Sequence, residues 1–311
     1  MSAFLLRRLL QMVPTLLGVI LLVFLLFSWV GGDPAYVLAG KFSNPDDIAN
    51  IRHQLGVDRP LIVQFGIFLR QVLTFDYGQS WATREPVAQI LLTRLGPSFA
   101  LLLPMLFLET LLGVAIALAV AYVRDSWIDR VLTLGTTAAM SVSLLVYIIV
   151  GQYVFAFQLG WFPVQGWASR GESWVPFAIL PILLGLAVSL APAIRLYRTF
   201  VLDELGQDYV RTAHAKGLSQ TRVMLVHVLR NAAIPIITNV LGSLPALLIG
   251  AFLLERFFSI PGIGREVILA VERSDFPVIK AVTVMVAVAT MVFNLLADLT
   301  YHWVDPRVEL K

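Results

Sequence analysis

Six long apolar runs dominate the sequence, and each is long enough to cross a bilayer as a helix, which takes about 20 residues. They span residues 9–30, 97–123, 131–157, 175–194, 232–254 and 278–300. Hydrophobic residues make up 58% of the chain and charged residues only 14%, which is too little polar surface for a soluble domain of this size. We therefore predict an all-α membrane protein with six transmembrane helices.

The distribution of Lys and Arg predicts which side of the membrane each loop occupies. With six spans both termini share a side, and the segments on that side hold twelve basic residues, against five in the short loops opposite. The long loop at 31–96 holds six basic and six acidic residues, and loops of this length carry little weight in the rule. Both termini are therefore predicted to be cytoplasmic, in a multi-pass membrane protein.

These spans divide the chain into an N-terminal anchor (1–30), an extracytoplasmic helical insertion (31–96) and a five-span core (97–311). In the insertion, Asn44, Pro45 and Gly56 are typical of the cap, first turn and end of a short helix. The following apolar stretch is shorter than a span and favours a helix at the interface, and a third short helix is predicted from Pro86 to about Leu95. The insertion is either a plain outer cap or a docking surface for an external partner.

Sequence patterns typical of enzymes are missing. The chain contains no phosphate-binding G-x-x-x-x-G-K-[ST] loop, no H-E-x-x-H pair and no G-x-S-x-G elbow. It has no cysteine, and its net charge of +3 is too small to indicate nucleic-acid binding. We therefore expect neither enzyme activity nor a cofactor or metal site in this chain.

Polar residues inside the predicted spans are the candidates for a translocation path. Glu109, Arg195 and Asp298 are ionisable; the last two lie near a membrane surface and would snorkel or pair with each other. Glu109 either forms structural hydrogen bonds or lines the path. The uncharged candidates also suit helix–helix contacts, which is the commoner use of such residues; they are Ser141, Ser143, Asn239, Ser243 and Asn294.

A basic, alanine-rich segment separates the fourth and fifth spans, within a predicted cytoplasmic loop at 199–231. Asp208 opens a plausible short helix in "DYVRTAHAKG", and Gly217 can end it in a left-handed conformation. Small residues, among them Ala213 and Ala215, would let another surface approach this helix closely. A solvated or membrane-surface connector is the alternative.

The segment "DYVRTAHAKGLSQTRVMLVHVLRNAAIP" resembles the cytoplasmic EAA loop of binding-protein-dependent ABC importer permeases, in the dipeptide, oligopeptide and nickel branch. Thr212, Ala213, Gly217 and Pro235 occupy the places of that pattern, whereas Arg211 replaces its Glu. "ERFFSIPGIGR" resembles the family's E-x-x-F-x-x-P-G-x-G segment after the fifth span. Three further segments resemble the corresponding parts of that family. They are the opening span "LLRRLLQMVPTLLGVILLVF", the following turn "GGDPA" and the ending "NLLADLTYHWVDPRV".

This resemblance implies the type I importer permease fold in a bacterial-type inner membrane. It also implies a role as one of two related permease subunits that enclose a path for a small solute. It implies as partners two ATP-binding cassette subunits, which would carry ATP and Mg²⁺, and an extracytoplasmic solute-binding protein. The residues implied in ATPase coupling are Asp208, Tyr209, Arg211, Thr212, Ala213, Ala215, Lys216 and Gly217. Those implied in binding-protein docking or an outer gate are Glu255, Phe258, Pro261, Gly262 and Gly264.

Two other classes stay open on the residues alone. A secondary transporter would show broken helices in two inverted halves and ionisable residues at the midplane. A channel or structural membrane protein would not need the small-residue loop. Among substrates, short peptides are favoured by the resemblance, with nickel, glutathione or another small solute as alternatives.

Overall fold

A computed structural model describes residues 2–29, 34–39, 44–124, 126–168, 173–245 and 251–304. Three of the predicted features fall partly outside this set: the turn at 31–33, residues 246–250 of the predicted fifth span, and the C-terminal tail from 305.

The described residues form helices and contain no strand beyond one isolated bridge between Gln79 and Pro86. The predicted all-α fold is confirmed. The helices are α1 Ser2–Trp29, α2 Pro34–Ala39, α3 Pro45–Leu55, α4 Leu61–Thr74, α5 Val87–Tyr122, α6 Trp127–Met140, α7 Leu144–Gln158, α8 Val175–Leu205, α9 Asp208–Ala215, α10 Gln220–Ser243, α11 Phe252–Phe257, α12 Ile263–Glu272 and α13 Phe276–Val304. In α7 the second half, Gln152–Gln158, is π-helical, as is Val223–Val228 in α10.

Five helices are long and apolar enough to cross a membrane, namely α1, α5, α8, α10 and α13. The third predicted span differs from a straight helix, because α6 and α7 meet at a bend of 88°. Ser143 causes the break: its backbone is extended (φ −70°, ψ 150°), and its side chain accepts from the amide of Val146 at the start of α7. Each half is about 21 Å long, so neither crosses a hydrocarbon core of about 30 Å alone.

Between α1 and α5 the described residues form the short helices α2, α3 and α4. Helix α3 has the expected ends, with Asn44 before it and Gly56 after it in the left-handed conformation. Helix α4 packs on α1 through Phe24, whose ring centroid lies 5.5 Å from that of Phe65 and 6.3 Å from that of Phe68.

The helix predicted from Pro86 to about Leu95 is not separate, because it continues as α5 to Tyr122. Proline normally forces the preceding residue out of the helical region by a clash that involves that residue's Cβ. Gly96 precedes Pro97 and has no Cβ, which relieves part of this clash.

Helices α5 and α8 form the most extensive helix contact in the described chain, and glycines let them approach closely. A Cβ on Gly113 would lie 3.1 Å from the Tyr197 ring, and one on Gly185 would lie 2.3 Å from the sulfur of Met105. Both helices run through two apolar clusters. The loop-side cluster surrounds Ala117, Tyr197, Val201, Val210 and Met224, and the corner cluster surrounds Leu101, Leu180, Leu184, Phe258 and Ile260.

Candidate functional site

Helix α9 is a separate eight-residue element between two long helices, as the sequence predicts. It begins at Asp208, whose carboxylate is favourable at the positive end of a helix, and Gln207 precedes it in an extended conformation. Gly217 follows it at φ +77°, a left-handed conformation in which its amide donates to the carbonyl of His214 at 2.9 Å. The predicted ends of this helix are therefore confirmed.

One face of α9 is packed into the loop-side cluster. Val210 and Ala213 are only 2% and 5% exposed and lie among residues of α5, α8 and α10. The expectation that Ala213 presents a small side chain to another protein is therefore wrong, because Ala213 contacts the body of its own chain. Its small size instead lets α9 sit close against α10.

The phenol of Tyr209 ties α9 to the end of α8. Its hydroxyl donates to the Glu204 carboxylate at 2.5 Å. Burial raises the pKa of Tyr209 to about 12, and Glu204 adds to this rise while a hydrogen bond with Asn231 opposes it. The phenol therefore stays protonated at physiological pH and remains the donor.

The opposite face of α9 is exposed. Asp208 and Arg211 form an ion pair of 3.3 Å, but with side chains 94% and 79% exposed it contributes little to stability. The exposed residues from the predicted coupling set are Asp208, Arg211, Thr212, Ala215, Lys216 and Gly217. Helix α9 is thus a short element held firmly on one face and accessible on the other.

A second predicted site lies at the corner between α11 and α12, where the Glu255 carboxylate is fully buried. The Ser98 hydroxyl of α5 donates to Glu255 Oε1 at 2.7 Å, and the amide of Arg265 donates to Oε2 at 3.0 Å. Ser98 Oγ also accepts from the amide of Ile263 at 2.9 Å. One carboxylate and one hydroxyl therefore hold the corner against α5.

The glycines of this corner are required by close packing. A Cβ on Gly262 would lie 2.4 Å from the Glu255 carboxyl group, and one on Gly264 would lie 2.7 Å from the Cα atom of Phe252. Phe258 is 1% exposed and belongs to the corner cluster, whereas Pro261 is half-buried. Glu255 and Phe258 therefore shape the corner from inside and do not present their side chains to a partner.

Among the pathway candidates, the structure brings Glu109 and Asn239 toward the α5–α8 contact. Glu109 is partly buried and lies one helical turn before Gly113, on the face of α5 that meets Tyr197. The Tyr197 hydroxyl donates to Asn239 Oδ1 of α10 at 3.5 Å, the outer limit for a hydrogen bond. Three spans therefore contribute polar groups to one junction.

The three serines bond to nearby backbone. Ser141 and Ser243 donate to the carbonyls of Thr137 at 2.9 Å and Val240 at 2.7 Å, and Ser143 caps α7. Ser141 and Ser143 are exposed at the α6–α7 bend, so they mark the break in that span.

Asn294 lies away from that junction, in a groove between α1 and α13. It lines a cavity of about 380 Å³ together with Arg8 and Asp298. Asp298 pairs with Arg8 at 2.7 Å, so the proposed Arg195–Asp298 pair does not form. Arg195 instead donates to the sulfur of Met140 at 3.7 Å.

Two structural residues escaped the sequence reasoning. Ser98 was not singled out, because its partner is 157 residues away in sequence. Asp275 is buried and accepts from the Ser80 hydroxyl and from the amides of Trp81 at 3.1 Å and Ala82 at 3.3 Å. The order Asp-Phe-Pro at the start of α13 is a capping pattern that could have indicated a structural role for Asp275.

The long apolar helices, the bent span and the protruding helix α9 define a polytopic helical membrane protein. In the part of the chain that the structure describes, no group of three or more His, Cys, Asp or Glu residues is placed to hold a metal ion.

Two family models together match nearly the whole chain. Residues 109–310 match the binding-protein-dependent transport system inner membrane component, and residues 1–102 match the N-terminal part of a membrane component of such systems. The chain is 37% identical over 312 residues to the glutathione transport system permease protein GsiC of Salmonella typhimurium, covering 100% of both chains. It is 36% identical to the probable peptide ABC transporter permease protein y4tP of Sinorhizobium fredii and 34% identical to a putative peptide transport system permease protein of Brucella abortus, with 99% of each chain covered.

The chain belongs to the family of inner membrane components of binding-protein-dependent transport systems, and it is a permease subunit of an ABC importer. Subunits of this class do not hydrolyse ATP, which is the task of partner ATPase subunits. The fold, the class of protein and the membrane setting expected from the sequence are confirmed.

Proposed function

We propose that this permease forms half of a translocation path for di- or oligopeptides, beside a second homologous permease subunit. Two ATP-binding cassette subunits, carrying ATP and Mg²⁺, dock on the cytoplasmic face, and an extracytoplasmic solute-binding protein delivers the cargo. Both termini are cytoplasmic, and the segment between α1 and α5 faces outward.

The two-faced geometry of α9 supports the proposed coupling. Its buried face joins residues of α5, α8 and α10 in the loop-side cluster, so a displacement of α9 acts on three spans together. Its exposed face is free to contact an ATPase groove, and Ala215 and Gly217 allow close approach there. The coupling residues are therefore Thr212, Ala215, Lys216 and their exposed neighbours.

The corner at Glu255 supports a gating role more than a direct docking role. Because Ser98 and Glu255 join the α11–α12 corner to α5, this corner moves with α5 when the path opens. The binding protein would then contact exposed residues beside the corner, while Glu255, Phe258, Gly262 and Gly264 fix the corner's shape.

Peptide transport is favoured because the similar proteins include a probable and a putative peptide permease. Glutathione is the second candidate, because another relative carries that name. A bare metal ion is disfavoured, since no metal-binding cluster occurs in the described residues.

The lack of cysteine in the sequence makes the coupling contact directly testable by cross-linking. In the assembled transporter, Ala215→Cys should cross-link to an engineered cysteine in the ATPase groove through a short bis-maleimide. Thr74→Cys, exposed at the end of α4, is the matched control and should not reach the ATPase. Cross-linking of Thr74→Cys but not of Ala215→Cys would overturn the assignment.

The same two variants test the orientation. A membrane-impermeant maleimide added to intact cells should label Thr74→Cys and leave Ala215→Cys unlabelled until the membrane is permeabilised.

The substrate class is tested by uptake of radiolabelled dipeptide with unlabelled glutathione as competitor. ATP-driven uptake of radiolabelled glutathione without uptake of the radiolabelled dipeptide would replace the peptide assignment by glutathione.

A further inference from the structure

A partly buried lysine lies near the start of α13, where two adjoining cavities meet. The cavities measure about 420 Å³ and 500 Å³ and share walls formed by Phe24, Val57, Gln64, Trp81 and Lys280. Gln64 fixes one wall by donating to the carbonyls of Val57 at 2.9 Å and Arg59 at 2.8 Å. The space between α1, α4 and α13 is therefore bounded by defined walls.

The Lys280 ammonium lacks a counterion. Its nitrogen lies 5.7 Å from the Phe27 ring centroid and 5.6 Å from that of Phe68, and no carboxylate of the described residues pairs with it. Contacts with aromatic faces attract the ammonium only weakly and do not replace a full counter-charge. A partly buried ammonium held in this way favours an anion beside it.

The smaller cavity repeats this imbalance of charge. Arg84 and Lys280 both line it, and no Asp or Glu is found among its described walls, whereas Asp58 lines the larger cavity. Asp275, the acid closest in sequence to Lys280, is already occupied by Ser80 and by the amides of Trp81 and Ala82. The described walls of the smaller cavity therefore present two cations and no acid.

The remaining walls and the position in the helix indicate what kind of anion fits. Phe24, Ile67 and Phe68 make much of the wall apolar. Lys280 is four residues after the start of α13, so it lies about 6 Å inside the end of that span. Basic residues near a membrane surface attract anionic lipid headgroups.

We propose that this cavity, which we call the Lys280 pocket, binds a phosphate group through Lys280 and Arg84, with the headgroup of an anionic phospholipid as its source. The phosphate accepts from the Lys280 ammonium, and the lipid's apolar part lies along Phe24 and Phe68. This site goes beyond the transport function and does not depend on which solute is carried.

The test is native mass spectrometry of the purified full chain in mixed micelles of phosphatidylglycerol and phosphatidylcholine. Wild-type protein should retain phosphatidylglycerol over phosphatidylcholine by about tenfold, as expected for one charge-assisted contact. Lys280→Gln should lose this preference and Lys280→Arg should keep it. Arg70→Gln is the matched control, because Arg70 is exposed on α4 and lines neither cavity.

Adding inorganic phosphate separates the two sources. One outcome is that phosphate displaces phosphatidylglycerol and raises the unfolding temperature of wild-type protein but not of Lys280→Gln. In that case the pocket binds phosphate through Lys280, and its ligand is the free ion and not a lipid headgroup. If wild type and Lys280→Gln show the same lipid preference and phosphate has no effect on either, the proposal is overturned. Arg84→Gln, in an exposed turn, should weaken retention in part and serves if Lys280→Gln fails to insert.

Discussion

A pair of arginine substitutions on α9 tests whether its two faces have different roles. Ala213 and Ala215 are two residues apart in the same helix, yet Ala213 is 5% exposed in the loop-side cluster whereas Ala215 is exposed. Ala213→Arg should therefore destabilise the chain itself, and Ala215→Arg should impair only the contact with the ATPase.

The magnitudes follow from burial. Overpacking a filled site costs about 1–3 kcal/mol, and an unpaired buried charge adds several more, so Ala213→Arg should cost about 3 kcal/mol or more. An exposed substitution such as Ala215→Arg usually changes stability by less than about 0.5 kcal/mol. A bulky charge at a close contact should nevertheless reduce ATP-driven uptake at least tenfold.

Two measurements separate these effects. Thermal unfolding of the purified chain, followed by tryptophan fluorescence, should show a lowered midpoint for Ala213→Arg and a wild-type midpoint for Ala215→Arg. For Ala215→Arg, less ATPase should co-purify with the folded chain, and ATP-driven uptake into proteoliposomes should be reduced. The reasoning fails if Ala213→Arg unfolds like wild type, or if Ala215→Arg keeps both the ATPase and full uptake.

Three further substitutions test other contacts. Ser98→Ala leaves the buried Glu255 carboxylate and a buried amide short of a partner, and should cost about 2–5 kcal/mol, seen as a lower unfolding midpoint; an unchanged midpoint would contradict the role given to Ser98. Gly217→Ala should cost about 1 kcal/mol through backbone strain at φ +77°, and Gly217→Asn should cost less in the same assay; equal costs would exclude strain as the cause. Asp298→Asn breaks the ion pair of Asp298 and Arg8, whose two side chains are 23% and 45% exposed. The free energy of unfolding should therefore fall by no more than about 1 kcal/mol, with little change in the midpoint. A larger loss would mean that the pair is a main support of the α1–α13 contact.

Local patterns in the sequence predicted much of the helical framework. Span length, the caps of α3 and the glycine after α9 depend on residues close together in the chain, and each agrees with the structure. The bend at Ser143 was missed because an apolar run of sufficient length outweighed a single capping serine. The continuity of α5 differs from the prediction of a short helix to about Leu95 and a separate span from residue 97, because Gly96 relieves the clash with Pro97.

Features that depend on tertiary packing were beyond the sequence. Small residues in α9 predicted a close contact, but the face that carries Ala213 is set by packing against α10 and α8. The resemblance of the E-x-x-F-x-x-P-G-x-G segment implied docking or an outer gate for Glu255, but not the burial of its carboxylate, because its donor Ser98 lies far away in the sequence. The Lys280 pocket likewise forms only when α1, α4 and α13 come together.

The paired helices α5 and α8 connect the two ends of the molecule mechanically. On α5, Leu101 lies in the corner cluster and Ala117 in the loop-side cluster, about 24 Å apart along one continuous helix. Helix α8 runs beside it through both clusters, with the Tyr197 ring packed against Gly113 of α5 and Met105 of α5 packed against Gly185 of α8. Under the coupling proposed for α9, this closely packed pair is the route by which a displacement at α9 would reach the Glu255 corner.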